Sequence, residues 1–131
     1  MYIETSAIIA MLAGEEEAED MARKIDEAKT NLITSPVSVT EAVIRFATKK
    51  EIEIPASQEI VSELLSALKV QTVSITAEIG NNAVRAYAEY GKGTGHGAKL
   101  NLGDVFSYAC AKAYRVPLLY KGNDFAKTDL A

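Results

Sequence analysis

The sequence predicts an α/β fold with a short central parallel sheet of four to five strands and helices on both faces. Four short β-rich runs, at residues 1–4, 31–35, 70–75 and 116–120, are separated by longer segments of helical pattern. Strands that alternate with helices form βαβ units, whose crossovers are right-handed and cover the sheet on both sides. At 131 residues the chain fits one domain, residues 1–131.

The composition is that of an ordinary globular protein, because 48% of the residues are hydrophobic and 24% are charged. The one cysteine, Cys110, cannot form an internal disulfide, and a single histidine leaves no Cys/His cluster for structural zinc. A net charge of −4 argues against a nucleic-acid coat, but it is compatible with a nuclease whose bound metal meets the phosphate. Because no run of about 20 apolar residues occurs, we expect a cytoplasmic protein without membrane contact.

Helix start and stop signals predict six helices along the chain. Thr5 and Ser6 offer an N-cap to the first helix. In the fourth helix, Ile60, Leu64 and Leu68 recur every four residues with Val61 and Leu65 beside them, which predicts a core face or a subunit interface. The predicted helices span residues 7–13, 15–28, 36–50, 76–90 and 103–114, with a further one opening at residue 55.

Four acidic residues fall beyond the carboxyl ends of the predicted strands, where sites of parallel α/β sheets lie. Glu4 ends the first strand and Asp124 follows the last one, while Glu41 and Asp104 sit in first turns of helices. Structural alternatives exist, namely a capping box from Ser38 to Glu41, a favourable helix N-terminus for Asp104 and a turn for Asp124. Two such charges about 4 Å apart repel by roughly 4 kcal/mol at an effective dielectric near 20, so a hard cation such as Mg²⁺ or Mn²⁺ would stabilise the cluster.

Four segments carry a resemblance to a known family. They read Met-Tyr-Ile-Glu-Thr-Ser-Ala at residues 1–7, Val-Thr-Glu-Ala at 39–42, Asn-Leu-Gly-Asp-Val-Phe-Ser-Tyr-Ala at 101–109 and Leu-Leu-Tyr-Lys-Gly-Asn-Asp-Phe at 118–125. In this order they resemble the motifs of PIN-domain ribonucleases of the VapC toxin type. The resemblance implies a PIN-like fold and an Mg²⁺- or Mn²⁺-dependent endoribonuclease that acts on RNA as the toxin of a toxin–antitoxin pair. It also implies a small VapB-type antitoxin as partner and a homodimer.

The resemblance assigns roles to single residues. The acids Glu4, Glu41, Asp104 and Asp124 match the family's catalytic quartet, and Glu4, Asp104 and Asp124 are the expected metal ligands. The family's first acid is normally Asp, and Glu4 is one methylene longer; a weakened or inactive PIN domain that serves as a binding partner is therefore the alternative. The expected supporting residues are Thr5, Ser6 and Asn123, with Asp129 as a further candidate, and the cation expected to contact RNA is Lys121.

Two other classes of protein fit the residues less well. A flavodoxin-like signalling module would place an acid directly after a central strand, but none follows residues 70–75 before Glu78. The segment at residues 93–98 matches G-x-G-x-x-A, yet it follows a helix rather than a strand, which argues against a dinucleotide site. Metal-dependent RNA cleavage remains the leading prediction.

Overall fold

The structure is a computed structural model that describes residues 1–131. It contains a four-stranded, all-parallel sheet and six helices, which confirms the predicted α/β class with four strands. The strands are β1 (Tyr2–Ile3), β2 (Ile33–Thr34), β3 (Gln71–Thr72) and β4 (Leu118–Leu119). The helices are α1 (Thr5–Ala13), α2 (Ala18–Glu27), α3 (Pro36–Lys50), α4 (Ile54–Ala67), α5 (Ala77–Tyr90) and α6 (Leu102–Tyr114).

The strand order is β3-β2-β1-β4, so the chain moves outward from β1 to β3 and then returns to pair β4 on the other side of β1. Tyr2 of β1 is in register with Ile33 of β2 and with Leu118 of β4. The direction of winding therefore reverses between β1 and β4. Such a switch point leaves a crevice at the carboxyl ends of the two strands, where α/β proteins bind ligands.

Neighbouring residues of the central strands face opposite sides of the sheet, as strand geometry requires. Tyr2 and Leu118 belong to a buried cluster with residues of α5 and α6, whereas Ile3 and Leu119 pack with residues of α1, α2, α3 and α4. Helices thus cover both faces. The residues of β1, β2 and β4 are buried, whereas Gln71 and Thr72 of the edge strand β3 are exposed.

The caps of two helices differ from the sequence-based expectation. Glu4, rather than Thr5 or Ser6, is the N-cap of α1, because β1 ends at Ile3 and leaves only one residue between strand and helix. Ser35 caps α3 by accepting a hydrogen bond from the main-chain N–H of Ser38. The predicted capping box from Ser38 to Glu41 is therefore wrong, and Glu41 lies in the second turn of α3.

The apolar stripe predicted on α4 lies partly in the core, with Ile60 as its exposed member. Val61 and Leu65 are buried, whereas Ile60 is exposed. Leu64 and Leu68 are partly buried against the core. The hydroxyl of Ser57 donates to the main-chain carbonyl of Val43 at 2.7 Å, which turns that side of α4 toward α3.

No helix of the structure is both long enough and apolar enough to cross a bilayer.

Candidate active site

Glu4 lies at the junction of β1 and α1, with 5% of its surface exposed. Its Oε2 accepts hydrogen bonds from the main-chain N–H of Ser6, at 2.7 Å, and from the Ser6 hydroxyl. Burial raises the pKa of Glu4 to about 7; the two Ser6 hydrogen bonds oppose this rise, and the charges of Asp104 and Glu41 add to it. Glu4 is thus a buried acid without a cationic partner.

Ser6 connects Glu4 to the segment that follows β4. Its hydroxyl oxygen accepts a hydrogen bond from the main-chain N–H of Lys121 at 2.8 Å and at the same time donates to Glu4. The start of α1 and the chain after β4 are therefore held together at the switch point of the sheet. The carboxylate at the end of β1 is fixed by this arrangement.

Asp104 occupies the third position of α6 and is 6% exposed. It forms a capping box with Asn101: the Asn101 side chain accepts from the Asp104 N–H at 2.9 Å, and the Asp104 carboxylate accepts from the Asn101 N–H at 3.0 Å. Burial raises the pKa of Asp104 to about 6 against the effect of the Asn101 bond, and the charges of Asp124 and Glu41 raise it further. Asp104 therefore caps α6, and its pKa also depends on the charges of the other acids.

Glu41 reaches the same edge from α3. Its Oε1 accepts a hydrogen bond from the Thr5 hydroxyl at 3.4 Å, and its Oε2 pairs with Nη2 of Arg45 at 2.9 Å. Thr5 also donates to the main-chain carbonyl of Ser38 at 3.2 Å. Sequence reasoning missed Arg45, although its position four residues after Glu41 on a helix is the spacing that brings such a pair together.

Asp124 lies in the exposed turn after β4, two residues beyond Gly122, whose φ of 91° is a left-handed conformation that favours glycine. Its charge is one of the causes that raise the pKa of Asp104. Asn123 is exposed in the same turn, and its carbonyl accepts from the Ala126 N–H at 3.1 Å. The four segments that carry the predicted acids therefore lie at one edge of the sheet, the edge formed by the carboxyl ends of the strands.

Lys121, the predicted RNA contact, is engaged within the protein. Its ammonium group lies 2.7 Å from Oε2 of Glu15 and 3.6 Å from Oε2 of Glu17. Asp129 is part of a different cluster, where it accepts from the Tyr108 hydroxyl and pairs with Lys112, each at 2.6 Å. Asp129 therefore does not contact any of the four acids.

The donor chemistry of the cluster fits a hard divalent cation. Its four acids offer carboxylate oxygens, the donors that Mg²⁺ and Mn²⁺ prefer, and Arg45 is the one cation that pairs with any of them. In this conformation no three acidic, histidine or cysteine side chains converge so as to hold an ion. Glu4 and Asp104 each direct an oxygen to a main-chain N–H instead.

The sequence matches the family model described as PIN domain over residues 1–130. A VapC ribonuclease of Rhizobium meliloti is 38% identical over an alignment that covers 98% of both chains. Ribonuclease VapC42 of Mycobacterium tuberculosis is 34% identical, with 99% of this chain and 96% of that protein aligned. The chain therefore belongs to the PIN domain family, and to its VapC group, as the motifs indicated.

Solved structures agree with this fold. The Mycobacterium tuberculosis toxin VapC20, described as cleaving the sarcin–ricin loop, superposes with a TM-score of 0.78 at 14% identity, covering 99% of this chain and 95% of that one. A toxin–antitoxin complex from Klebsiella pneumoniae gives a TM-score of 0.69 at 21% identity, with coverages of 98% and 92%. At these identities the likeness concerns the fold.

Proposed function

We propose that the protein is an Mg²⁺- or Mn²⁺-dependent endoribonuclease that acts as the toxin of a VapBC-type pair. The observation that carries the proposal is the placement of Glu4, Glu41 and Asp104, from three different elements, at the switch point of the sheet, where the charge of Glu41 raises the pKa of both other acids. Burial and mutual repulsion raise the pKa values of Glu4 and Asp104, as expected of acids arranged for a cation. The aligned relatives named as ribonucleases support the choice of RNA.

Glu4, Asp104 and Asp124 are the proposed metal ligands. Glu4 would hold the ion through Oε1, which accepts no hydrogen bond, and Asp104 through the oxygen that is not bonded to Asn101. A divalent ion bound there would supply a water of lowered pKa and a positive charge beside the phosphate. Charge balance supports this assignment, because no cation of the protein pairs with any of the three.

Glu41 is the proposed residue that orients the attacking water. The Thr5 hydroxyl contacts one of its carboxylate oxygens and Arg45 pairs with the other, so both contacts orient Glu41 without a metal ion. Arg45 is half-exposed and four residues along the same helix, which makes its guanidinium available to an RNA phosphate at the rim of the site. Lys121 can also bind an RNA phosphate, once that phosphate displaces the Glu15 carboxylate from its ammonium group.

A continuous apolar surface adjoins the site and is the proposed homodimer interface. A cavity of about 550 Å³ between α3 and α6 shares Leu102 and Phe106 with a second one of about 460 Å³ between α5 and α6. Leu102 is 72% exposed, Val84 70% and Ile44 52%, which is a large apolar area for a monomer to leave in water. We refer to Ile44, Val84, Tyr87, Leu102 and Phe106 as the apolar surface; it replaces the α4 stripe as the expected interface.

The proposed antitoxin would act by covering the carboxylate edge. Glu41 is partly exposed at this edge, so a protein segment that lay across the edge, beside the homodimer interface, would block access to the acids. The toxin–antitoxin complex among the structural neighbours supports such a partner. Covering the edge would exclude RNA without unfolding the toxin.

RNA cleavage by the purified chain tests the proposal. We expect cleavage with Mg²⁺ or Mn²⁺, none with chelator, and none for Glu4→Gln, which keeps the side-chain size but removes the charge. If the wild-type chain and Glu4→Asp both leave a panel of structured RNAs intact with either metal, the proposal fails. Cleavage by Glu4→Asp alone would favour the alternative, a PIN domain whose longer first acid, bonded to Ser6, makes it a binding partner rather than a working nuclease.

A further inference from the structure

Gly103, at the second position of α6, lies against the carboxylate of Glu41. A Cβ atom at residue 103 would be 2.3 Å from Oε1 of Glu41, 3.1 Å from its Cδ and 3.3 Å from its Oε2. Real Cβ atoms essentially never come closer than 3.0 Å to another heavy atom. The backbone of Gly103 is helical rather than left-handed, so conformational freedom does not explain the glycine. Residue 103 is a glycine because the Glu41 carboxylate occupies the space that a side chain would need.

The first turn of α6 is held too firmly to move away from an added methyl group. The capping box between Asn101 and Asp104 fixes the helix start. The hydroxyl of Ser107 donates to the carbonyl of Gly103 at 3.3 Å and lies 3.1 Å from the hydroxyl of Ser38 on α3. Buried hydrogen bonds of this kind tie α6 to α3.

Glu41 is the partner that can give way. Its side chain is partly exposed and ends in rotatable bonds, and the contacts that hold it are a 3.4 Å bond from Thr5 and the ion pair with Arg45. An alanine at position 103 would therefore push the Glu41 carboxylate outward, away from Asp104. A displacement of about 1 Å in a reacting group can cost about 100-fold in rate.

We propose that Gly103 is a positioning residue: the missing side chain lets the Glu41 carboxylate rest on the first turn of α6 beside Asp104. What Glu41 does there rests on the function proposed above. The steric relationship itself does not, and it can be tested in the absence of metal and RNA.

The metal-free test is a thermal double-mutant cycle in chelator. We expect Gly103→Ala to lower the melting temperature by only about 1–3 °C in the wild-type chain, because the end of the flexible Glu41 side chain can move aside. In a Glu41→Ala background the same change should cost nothing, because the obstacle is gone and alanine favours the helix. An equal loss in both backgrounds would overturn the proposal.

The functional test is calorimetric Mn²⁺ binding together with the kinetics of RNA cleavage. Gly103→Ala should lower kcat more than it raises KM, while Mn²⁺ binding, which depends on Glu4, Asp104 and Asp124, stays close to that of the wild type. The matched control is Gly80→Ala on α5, whose Cβ would meet nothing within 4 Å and which should bind and cleave as the wild type does. An unchanged kcat in Gly103→Ala would overturn the positioning role. A wild-type chain that binds no Mn²⁺ would instead refute the proposed metal dependence, while the thermal cycle still decides whether Gly103 makes room for Glu41.

Discussion

The ammonium group of Lys121 lies 2.7 Å from the carboxylate of Glu15, at the end of the sheet that carries the acids. Glu15 and Lys121 are 106 residues apart in the sequence, and the pair joins the loop after α1 to the segment after β4. The Glu15 carboxylate pairs with the Lys121 ammonium group in the way that a phosphate of RNA would.

Glu15→Gln should therefore strengthen RNA binding. The substitution removes the nearer of the two carboxylates at Lys121 and leaves Glu17, so we expect RNA affinity in low salt to rise about two- to three-fold, an effect that added salt reduces. Fluorescence anisotropy with a labelled RNA and the cleavage-deficient Glu4→Gln background measures it. Glu16→Gln is the matched control, since it makes the same change of net charge at an exposed residue without an ion pair. Equal affinity changes in the two variants would mean that only net charge matters.

The metal-free protein should lose stability as the pH rises from 5 to 8. The pKa values of Glu4 and Asp104 are raised in the folded state, to about 7 and about 6. A raised acid pKa means that the folded state holds its protons more tightly, so the stabilisation is complete below the unfolded pKa near 4 and is lost as the pH passes 6 and 7. Melting curves in chelator measure this loss.

Two comparisons assign that pH dependence to the acids. Glu4→Gln should flatten the part of the curve near pH 7, because it removes the titrating group and retains a side chain of similar size. Adding Mn²⁺ should raise the melting temperature more at pH 8 than at pH 5, since the ion competes with protons. If the melting temperature does not fall between pH 5 and 8, and Glu4→Gln gives the same curve, the buried state of Glu4 is refuted.

Val84→Lys should separate the proposed homodimer into monomers. Val84 lies in the apolar surface and is 70% exposed in the single chain, so a charge there costs the monomer little but would be buried in a dimer. Sedimentation equilibrium gives the mass. Ile54→Lys, at an exposed apolar residue of α4 outside this surface, is the control and should remain dimeric. If Ile60→Lys dissociates the dimer and Val84→Lys does not, the α4 stripe is the interface after all.

Much of the scaffold could be predicted because it depends on local signals. The apolar runs identified all four strands, and Pro36 at the first position of α3 and Thr76 as the cap of α5 marked helix starts. The parallel order of such strands then brings their carboxyl ends, and the acids after them, to one edge. Glu4 and Asp124 at the edge between β1 and β4 follow from this rule.

The remaining features depend on contacts between distant segments. The cap of α1 was assigned to Thr5 or Ser6 because those residue types are the common caps, but the tight link after Ile3 gives the role to Glu4. The core side of α4 is set by the contact of Ser57 with Val43, which periodicity alone does not reveal. The engagement of Lys121 by Glu15 and the closeness of Gly103 to Glu41 likewise exist only in the folded chain.

The central claim is that the carboxylate cluster performs metal-dependent cleavage of RNA, and Asp104→Asn tests it most directly. The amide keeps the shape of the side chain and can still accept from the Asn101 N–H, while the charge offered to the metal is lost. Asp129→Asn, in the separate cluster with Tyr108 and Lys112, is the matched control. With Mn²⁺ present, we predict that Asp104→Asn lowers the RNA cleavage rate by at least about 100-fold and that Asp129→Asn stays near the wild-type rate. Cleavage by Asp104→Asn at the wild-type rate would contradict the account.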